Sequence, residues 1–113
     1  MTGLTTHVLD TTHGRPAAGM VLRLKRGEAV LAETRTNADG RCDAPLLAGE
    51  ALQPGRYRLE FEVGDYFRML TVELPEPAFL ETVVIDFGIA DLSVHHHVPL
   101  LVSPYGYSTY RGS

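Results

Sequence analysis

Short runs in which hydrophobic and polar residues alternate dominate this chain, and turn residues separate one run from the next. The clearest run is YRLEFEV at 57–63, where every second residue from Tyr57 to Val63 is hydrophobic and the residues between them are charged. Because successive side chains of a β-strand point to opposite faces, this pattern predicts a strand with one buried face. The run MVLRLKR at 20–26 alternates in the same way and predicts a second such strand.

The remaining β-rich runs follow at intervals of roughly 8 to 12 residues, a spacing typical of antiparallel sandwiches and barrels. They lie at 5–10, 29–37, 80–89, 96–104 and 106–112. One segment, GDYFRML at 64–70, fits a short helix, which the prolines of ELPEP just after it would end. No repeat, low-complexity segment or linker interrupts this order. We therefore expect an all-β fold with one short helix, forming a single domain over residues 1–113.

The composition is that of a globular protein and narrows the possible partners. Of 113 residues, 44% are hydrophobic and 21% are charged, and the net charge is −4 without a run of lysines or arginines. A nucleic-acid partner, which normally meets a basic surface, is therefore not expected. No stretch approaches the ~20 apolar residues of a membrane span, and the N-terminus lacks the pattern of a signal peptide, so no membrane partner is expected. The single cysteine, Cys42, has no internal disulfide partner, which favours a cytoplasmic location.

Three consecutive histidines, His95 to His97, offer the first candidate chemistry. On a strand, His95 and His97 point to one face and His96 to the other. Two histidines on one face can ligate a metal, and His7 could complete a catalytic zinc site. No HExxH motif, cysteine pair or acidic cluster supports that interpretation. An edge strand that merely carries polar side chains explains the run equally well, so both interpretations remain open.

The amino-terminal run and the tail each contain a strand face that does not fit a simple core. In LTTHVLD, His7 shares its face with Thr5 and Leu9, which suits a groove or an interface. In GYSTYRG, Ser108 and Tyr110 share one face, and the strand is polar with aromatic residues on both sides. A core would not bury such a strand, whereas a second subunit would, because interfaces favour tyrosine and arginine. The alternative is an edge strand whose aromatic side chains pack locally.

Arg41 and Cys42 follow directly on the turn sequence NADG at 37–40. Taken alone, an arginine after a turn is most often a solvated surface residue. Cys42 could act as a nucleophile only beside a base, and no sequence feature places a base there. A packed free thiol is the simpler interpretation of Cys42.

Four segments together carry a family resemblance. They are THVLDTTHGRPAAG, TNADGR, YRLEFEVGDYF and the terminal HHVPLLVSPYGYSTYRGS. On these segments the chain resembles the 5-hydroxyisourate hydrolases, the transthyretin-like enzymes of urate breakdown, over essentially its whole length. The final YRGS is the most specific of these marks, because the hormone-carrying transthyretins share the fold and the SPY-YST segment but lack this ending.

The resemblance implies a fold, an activity and an assembly. The fold is a transthyretin-like sandwich of two four-stranded antiparallel sheets with one short helix. The activity is hydrolysis of a small molecule, 5-hydroxyisourate, to 5-hydroxy-2-oxo-4-ureido-imidazoline-5-carboxylate, with neither a cofactor nor a metal. The assembly is a homotetramer built as a dimer of dimers, in which the last strand lines a channel that contains the active sites.

The resemblance also implies roles for individual residues. The catalytic residues are His7, Arg41 and His97, while Tyr110 contacts the substrate and Ser108 and Ser113 lie close by. His7 and His97 would activate water, and Arg41 would stabilise the developing oxyanion. The chain departs from its relatives at His96, where tyrosine is more common.

Two alternatives to a metal-free hydrolase follow from the same residues. One is a transthyretin-type carrier that binds a small ligand without catalysis. The other is a zinc hydrolase that uses His7, His95 and His97. A hydrophobic carrier channel does not need polar residues such as His7, Arg41 and His97, which argues against the carrier. A purely structural scaffold would leave the polar tail unexplained.

Overall fold

The computed structural model describes residues 2–112. Within these residues the chain forms nine strands, one α-helix and one 3₁₀ turn at Gly49–Ala51. The strands are β1 (Gly3–Asp10), β2 (Arg15–Pro16), β3 (Val21–Arg26), β4 (Ala29–Arg35), β5 (Leu47–Ala48), β6 (Gly55–Glu62), β7 (Thr82–Ile89), β8 (His96–Ser103) and β9 (Gly106–Thr109). The helix, α1, spans Val63–Met69 and lies between β6 and β7 in the chain.

The strands form two sheets that pack face to face. The first sheet has the order β2-β1-β8-β9, with β5 paired to the start of β1, and the second sheet has the order β4-β3-β6-β7. Neighbouring strands run antiparallel, except that β1 and β8 run parallel. Leu4 and Leu100 of the first sheet and Leu59 and Phe61 of the second belong to one buried core. The predicted all-β sandwich of two sheets with one short helix is confirmed, with β5 as a fifth strand of the first sheet and one parallel pair, β1 with β8.

The burial of individual side chains follows the alternation in the sequence. On β6, Tyr57, Leu59 and Phe61 are buried, and on β3 so are Leu22 and Leu24. The residues between them face outward and form ion pairs across the second sheet. In one of these, the Arg23 guanidinium lies 2.8 Å from a carboxylate oxygen of Glu62. The second sheet therefore contributes one face to the core and presents a charged face on its other side.

The helix α1 begins one residue before the predicted segment 64–70 and ends one residue earlier. Its buried side chains, Tyr66 and Phe67 among them, pack on the core. The helix ends at Met69, before the prolines of ELPEP, and Thr71 just beyond it takes a left-handed φ of 60°. The Thr71 N–H donates to the Arg68 carbonyl, which closes the last turn. No helix within the described residues is long and apolar enough to cross a membrane.

A buried carboxylate joins the end of β1 to α1. Asp10 is 1% exposed and accepts hydrogen bonds from the Tyr66 hydroxyl at 2.7 Å, the His13 ring Nδ1 at 2.6 Å and the His13 backbone N–H at 3.0 Å. Burial by itself raises the pKa of Asp10, but the hydrogen bonds from Tyr66 and His13 outweigh it and the pKa is lowered. Burial and the bond to Asp10 raise the pKa of Tyr66. This cluster therefore holds an ionised carboxylate inside the fold.

Replacing Tyr66 by phenylalanine is expected to lower the free energy of unfolding by about 1–3 kcal/mol, because the buried Asp10 carboxylate loses a donor. The folded-state pKa of Asp10 lies below its unfolded value of about 3.9, so its stabilisation is present above that pH and is lost as the pH falls through the folded-state pKa. Urea unfolding at fixed protein concentration should show the difference at pH 7 and a smaller one in acid. Tyr105→Phe, at an exposed tyrosine, is the control. Equal effects of the two changes would contradict this role for Asp10.

Candidate active site

The outer face of the first sheet carries the candidate residues of β1 and β8. On β1, Leu4, Thr6 and Val8 are buried, so Thr5 and His7 lie on the opposite, outer face. The parallel pairing of β1 with β8 sets Thr5 beside His97 and His7 beside Pro99. The prediction that Thr5, His7 and Leu9 share a face is confirmed.

The NADG turn brings Arg41 to the same face. The Asn37 side-chain oxygen accepts hydrogen bonds from the backbone N–H groups of Asp39 at 2.9 Å and Arg41 at 3.2 Å, which closes the turn. Gly40 has a φ of 77°, and a Cβ there would lie 2.3 Å from the Val8 carbonyl oxygen, so only glycine fits. The turn therefore packs against β1, and Arg41 pairs with His7 in an isolated antiparallel bridge.

The ring of His7 is held in a single orientation by this turn. Its Nε2 donates a hydrogen bond of 2.8 Å to the backbone carbonyl of Asp39. Because a carbonyl oxygen can only accept, Nε2 carries the hydrogen, and the neutral ring keeps its lone pair on Nδ1. His7 therefore offers one proton-accepting nitrogen at Nδ1.

The side chain of His97 is half-buried, and it lies close enough to Arg41 and His7 for their charges to change its pKa. Burial lowers the pKa of His97 most, and the nearby Arg41, His7 and His95 lower it further. Its Nδ1 lies 2.8 Å from the Thr5 hydroxyl oxygen. A histidine with a pKa below its usual value is neutral at pH 7, which is the form that can accept a proton.

The tail folds back over His97. The Gly112 N–H donates to the His97 carbonyl at 2.8 Å, and the two residues form an isolated antiparallel bridge. A Cβ on Gly112 would lie 2.5 Å from Cδ2 of the His97 ring. The glycine of the YRGS segment is therefore required by contact with the candidate catalytic ring, a reason that the sequence alone did not reveal.

The remaining candidates do not all join this cluster. Tyr110 lines a cavity of about 380 Å³ together with His97, Phe87 and Arg111. Ser108 pairs with Leu101, four residues along β8 from His97, which corresponds to about 13 Å along the strand. Ser113 lies outside the described residues. The structure thus brings together His7, Arg41 and His97, places Tyr110 with His97 in the lining of a separate cavity, and leaves Ser108 apart from the group within one chain.

A second, smaller cavity of about 270 Å³ lies beside Arg41 and contains residues that the sequence did not assign to the site. Its lining includes Thr5, Arg41, Cys42 and His95. Burial, with a smaller contribution from Asp43, raises the pKa of the Cys42 thiol, which keeps it protonated. Cys42 also packs against the core, in agreement with a packed free thiol rather than a nucleophile.

The three consecutive histidines alternate as predicted. His95 and His97 both reach the Thr5 hydroxyl, whereas His96 is buried and its Nε2 donates to the Asp91 carbonyl at 2.7 Å. The buried, hydrogen-bonded ring of His96 is therefore explained by its contacts within the fold. Across residues 2–112, no group of three or more His, Cys, Asp or Glu side chains is arranged to hold a metal ion.

Comparison with known proteins assigns the chain to a family. A curated 5-hydroxyisourate hydrolase from Pseudomonas aeruginosa is 58% identical, over 97% of this chain and 90% of that protein. The structure of 5-hydroxyisourate hydrolase from Klebsiella pneumoniae superposes with a TM-score of 0.85 at 39% identity, covering 100% of each chain. Sea bream transthyretin in complex with thyroxine gives a TM-score of 0.84 at 25% identity, covering 96% of this chain and 93% of that one.

A family model matches nearly all of the described residues. The model described as the HIUase/Transthyretin family matches residues 4–112, which include every candidate residue except Ser113. This match and the 58% identity to a curated relative agree with each other. The chain therefore belongs to the HIUase/transthyretin family.

Proposed function

We propose that this protein hydrolyses 5-hydroxyisourate to 5-hydroxy-2-oxo-4-ureido-imidazoline-5-carboxylate in urate degradation, without a metal. The observation that carries the proposal is the group formed by His97, His7 and Arg41 on an open sheet face. In this group a neutral imidazole lies within electrostatic reach of a guanidinium. The degree of similarity supports the same choice, since the chain is 58% identical to a hydrolase and 25% identical to a transthyretin.

The proposed reaction begins with a water molecule that attacks a carbonyl carbon of the cyclic amide. The water loses one proton, which one of the two histidines, His97 or His7, accepts while both act on the water together. The amide C–N bond then breaks, and a proton returns to the departing nitrogen. The oxygen of the attacked carbonyl carries negative charge in the transition state, and this charge is what the site must stabilise.

Arg41 is proposed to stabilise that oxygen. Its side chain is exposed, and among residues 2–112 no carboxylate forms an ion pair with it. By contrast, Arg23, Arg58 and Arg68 are each bound to carboxylates. A guanidinium that is not engaged by the protein is available to an anionic transition state, and its planar fork can donate two hydrogen bonds at once.

The proposal extends to the binding residues and to the assembly. Tyr110 would position the planar substrate by stacking or hydrogen bonding, and Ser108 would also contact the substrate from the same tail.

All four residues of β9 are exposed at an edge of the first sheet, and such an edge is open to pairing with another chain. We propose that a second copy covers it in a homotetramer, a dimer of dimers. We also propose a single domain over residues 1–113 and a cytoplasmic location.

Turnover and product mass test this function against the carrier alternative. Urate oxidase acting on urate supplies fresh 5-hydroxyisourate, which is then mixed with a small fraction of an equivalent of protein. We expect many equivalents to be converted per chain, faster than without protein, to a product heavier by one water. Substrate that persists, with about one ligand retained per site, would instead support a transthyretin-type carrier.

A further inference from the structure

The Thr5 hydroxyl lies between two histidine rings. Its Oγ1 is 2.8 Å from Nδ1 of His97 and 2.9 Å from Nε2 of His95. His97 is half-buried, whereas His95 is exposed and lines the cavity that also contains Arg41. One side chain thus connects the candidate base to a ring in contact with solvent.

The chemistry of a hydroxyl restricts how these three groups can be protonated. A threonine hydroxyl carries one hydrogen and accepts up to two hydrogen bonds. When both rings are neutral and both contacts are hydrogen bonds, one arrangement has His97 Nδ1–H donating to Thr5 and the Thr5 hydroxyl donating to His95. This arrangement leaves the lone pair of His97 on Nε2, ready to accept a proton. The reverse arrangement protonates Nε2 and removes the base.

We propose that Thr5 is a positioning residue of the site and that His95, Thr5 and His97 form a proton relay. The proposal rests on the hydrolase function proposed above. As His97 Nε2 takes the proton of the attacking water, the Nδ1 proton of His97 passes to the Thr5 oxygen. The hydroxyl proton of Thr5 then passes to Nε2 of His95. His97 ends neutral in its other tautomer, and His95 ends with one additional proton.

The surroundings of the two rings explain why the charge would move outward. Burial, Arg41, His7 and His95 all disfavour a positive charge on His97. His95 is exposed, so water can solvate the charge there. The relay therefore avoids holding an imidazolium in the half-buried position during the reaction. The charged and titratable groups that act on His97 are Arg41, His7 and His95.

Thr5→Val and Thr5→Ser form the matched pair of variants for this relay. Valine keeps the branched shape that suits a strand but removes the hydroxyl, while serine keeps the hydroxyl. We expect Thr5→Val to lower kcat at least about tenfold and Thr5→Ser to retain most of the activity. Thr11→Val removes a hydroxyl that bonds the Val102 carbonyl at the other end of the β1–β8 pair, and serves as the control.

His95→Gln separates a relay from a merely structural hydrogen bond. A relay predicts that His95→Gln loses about as much kcat as Thr5→Val, and that the double variant is little worse than either single one, because both break the same chain. Wild-type kcat in His95→Gln, or strictly multiplicative losses in the double variant, would overturn the relay.

The tautomer of His97 provides a measurement that does not depend on turnover. Nitrogen chemical shifts of the His97 ring should report hydrogen on Nδ1 and a lone pair on Nε2 in the wild type, and a shift toward Nε2–H in Thr5→Val. An unchanged tautomer in Thr5→Val would overturn the role of Thr5 even in an active enzyme. A wild-type protein that shows the expected tautomer but no hydrolysis would instead contradict the proposed function.

Discussion

Replacing His97 by asparagine is expected to lower kcat about 100- to 10,000-fold, the usual contribution of a general base. Asparagine can still form hydrogen bonds but cannot accept the proton of water near neutral pH. The measurement is the steady-state rate of 5-hydroxyisourate loss, corrected for spontaneous decay, together with the oligomeric state. His13→Asn makes the same change at a histidine that binds Asp10 outside the site.

The expected pattern distinguishes loss of a base from loss of the fold. His97→Asn should keep the assembly and the secondary structure of the wild type while losing turnover, whereas His13→Asn should keep turnover. His7→Asn is also expected to lose most activity, because it removes the free Nδ1 that the bond to Asp39 leaves available. Full activity in His97→Asn would remove that residue from the mechanism.

Arg41→Lys is expected to lower kcat about 100- to 1,000-fold, the cost of losing one donor to a developing oxyanion. Lysine keeps the positive charge but not the planar fork of donors, so the loss measures geometry rather than charge. Arg35→Lys is the matched control, since the Arg35 side chain donates to the Gly19 carbonyl away from the site. Equal rates in the wild type and in Arg41→Lys would show that no guanidinium is needed.

The charge of Arg41 has a separate effect that a pH profile can detect. Arg41 helps to lower the pKa of His97, so its loss lets that pKa rise toward the usual value. In Arg41→Gln the acidic limb of kcat/KM should therefore move to higher pH, because a higher pH is needed to keep His97 neutral. In Arg41→Lys, where the charge remains, the limb should stay close to that of the wild type.

The sequence predicts the strands well because their pattern is local. Alternation between Tyr57 and Val63 specifies a strand and its buried face without reference to any other segment. Both ends of α1 are predicted to within one residue, but the predicted cause of its ending is wrong, because the left-handed turn at Thr71 comes before the prolines. The parallel pairing of β1 with β8 was not predicted at all. It joins segments about 90 residues apart, and no local pattern encodes it.

The candidate site shows the same difference. Features that depend on neighbouring residues can be predicted from the sequence, whereas contacts between distant parts of the chain cannot. Strand parity set His7 on the correct face, and the NADG turn explains why Arg41 lies next to a strand. The contact of Gly112 with the His97 ring and the bridging position of Thr5 depend on distant parts of the chain. Ser108, which the resemblance places close to the site, lies farther along the first sheet within one chain.

Metal-free hydrolysis by this protein can be tested on freshly made 5-hydroxyisourate, whose decay is followed by ultraviolet absorbance with protein that has been treated with a chelator. We expect decay that exceeds the spontaneous rate, rises in proportion to protein concentration and is unchanged by chelation. Decay at the spontaneous rate would contradict catalysis by this chain. Activity that disappears on chelation and returns with zinc would contradict the metal-free mechanism built on His97, His7 and Arg41.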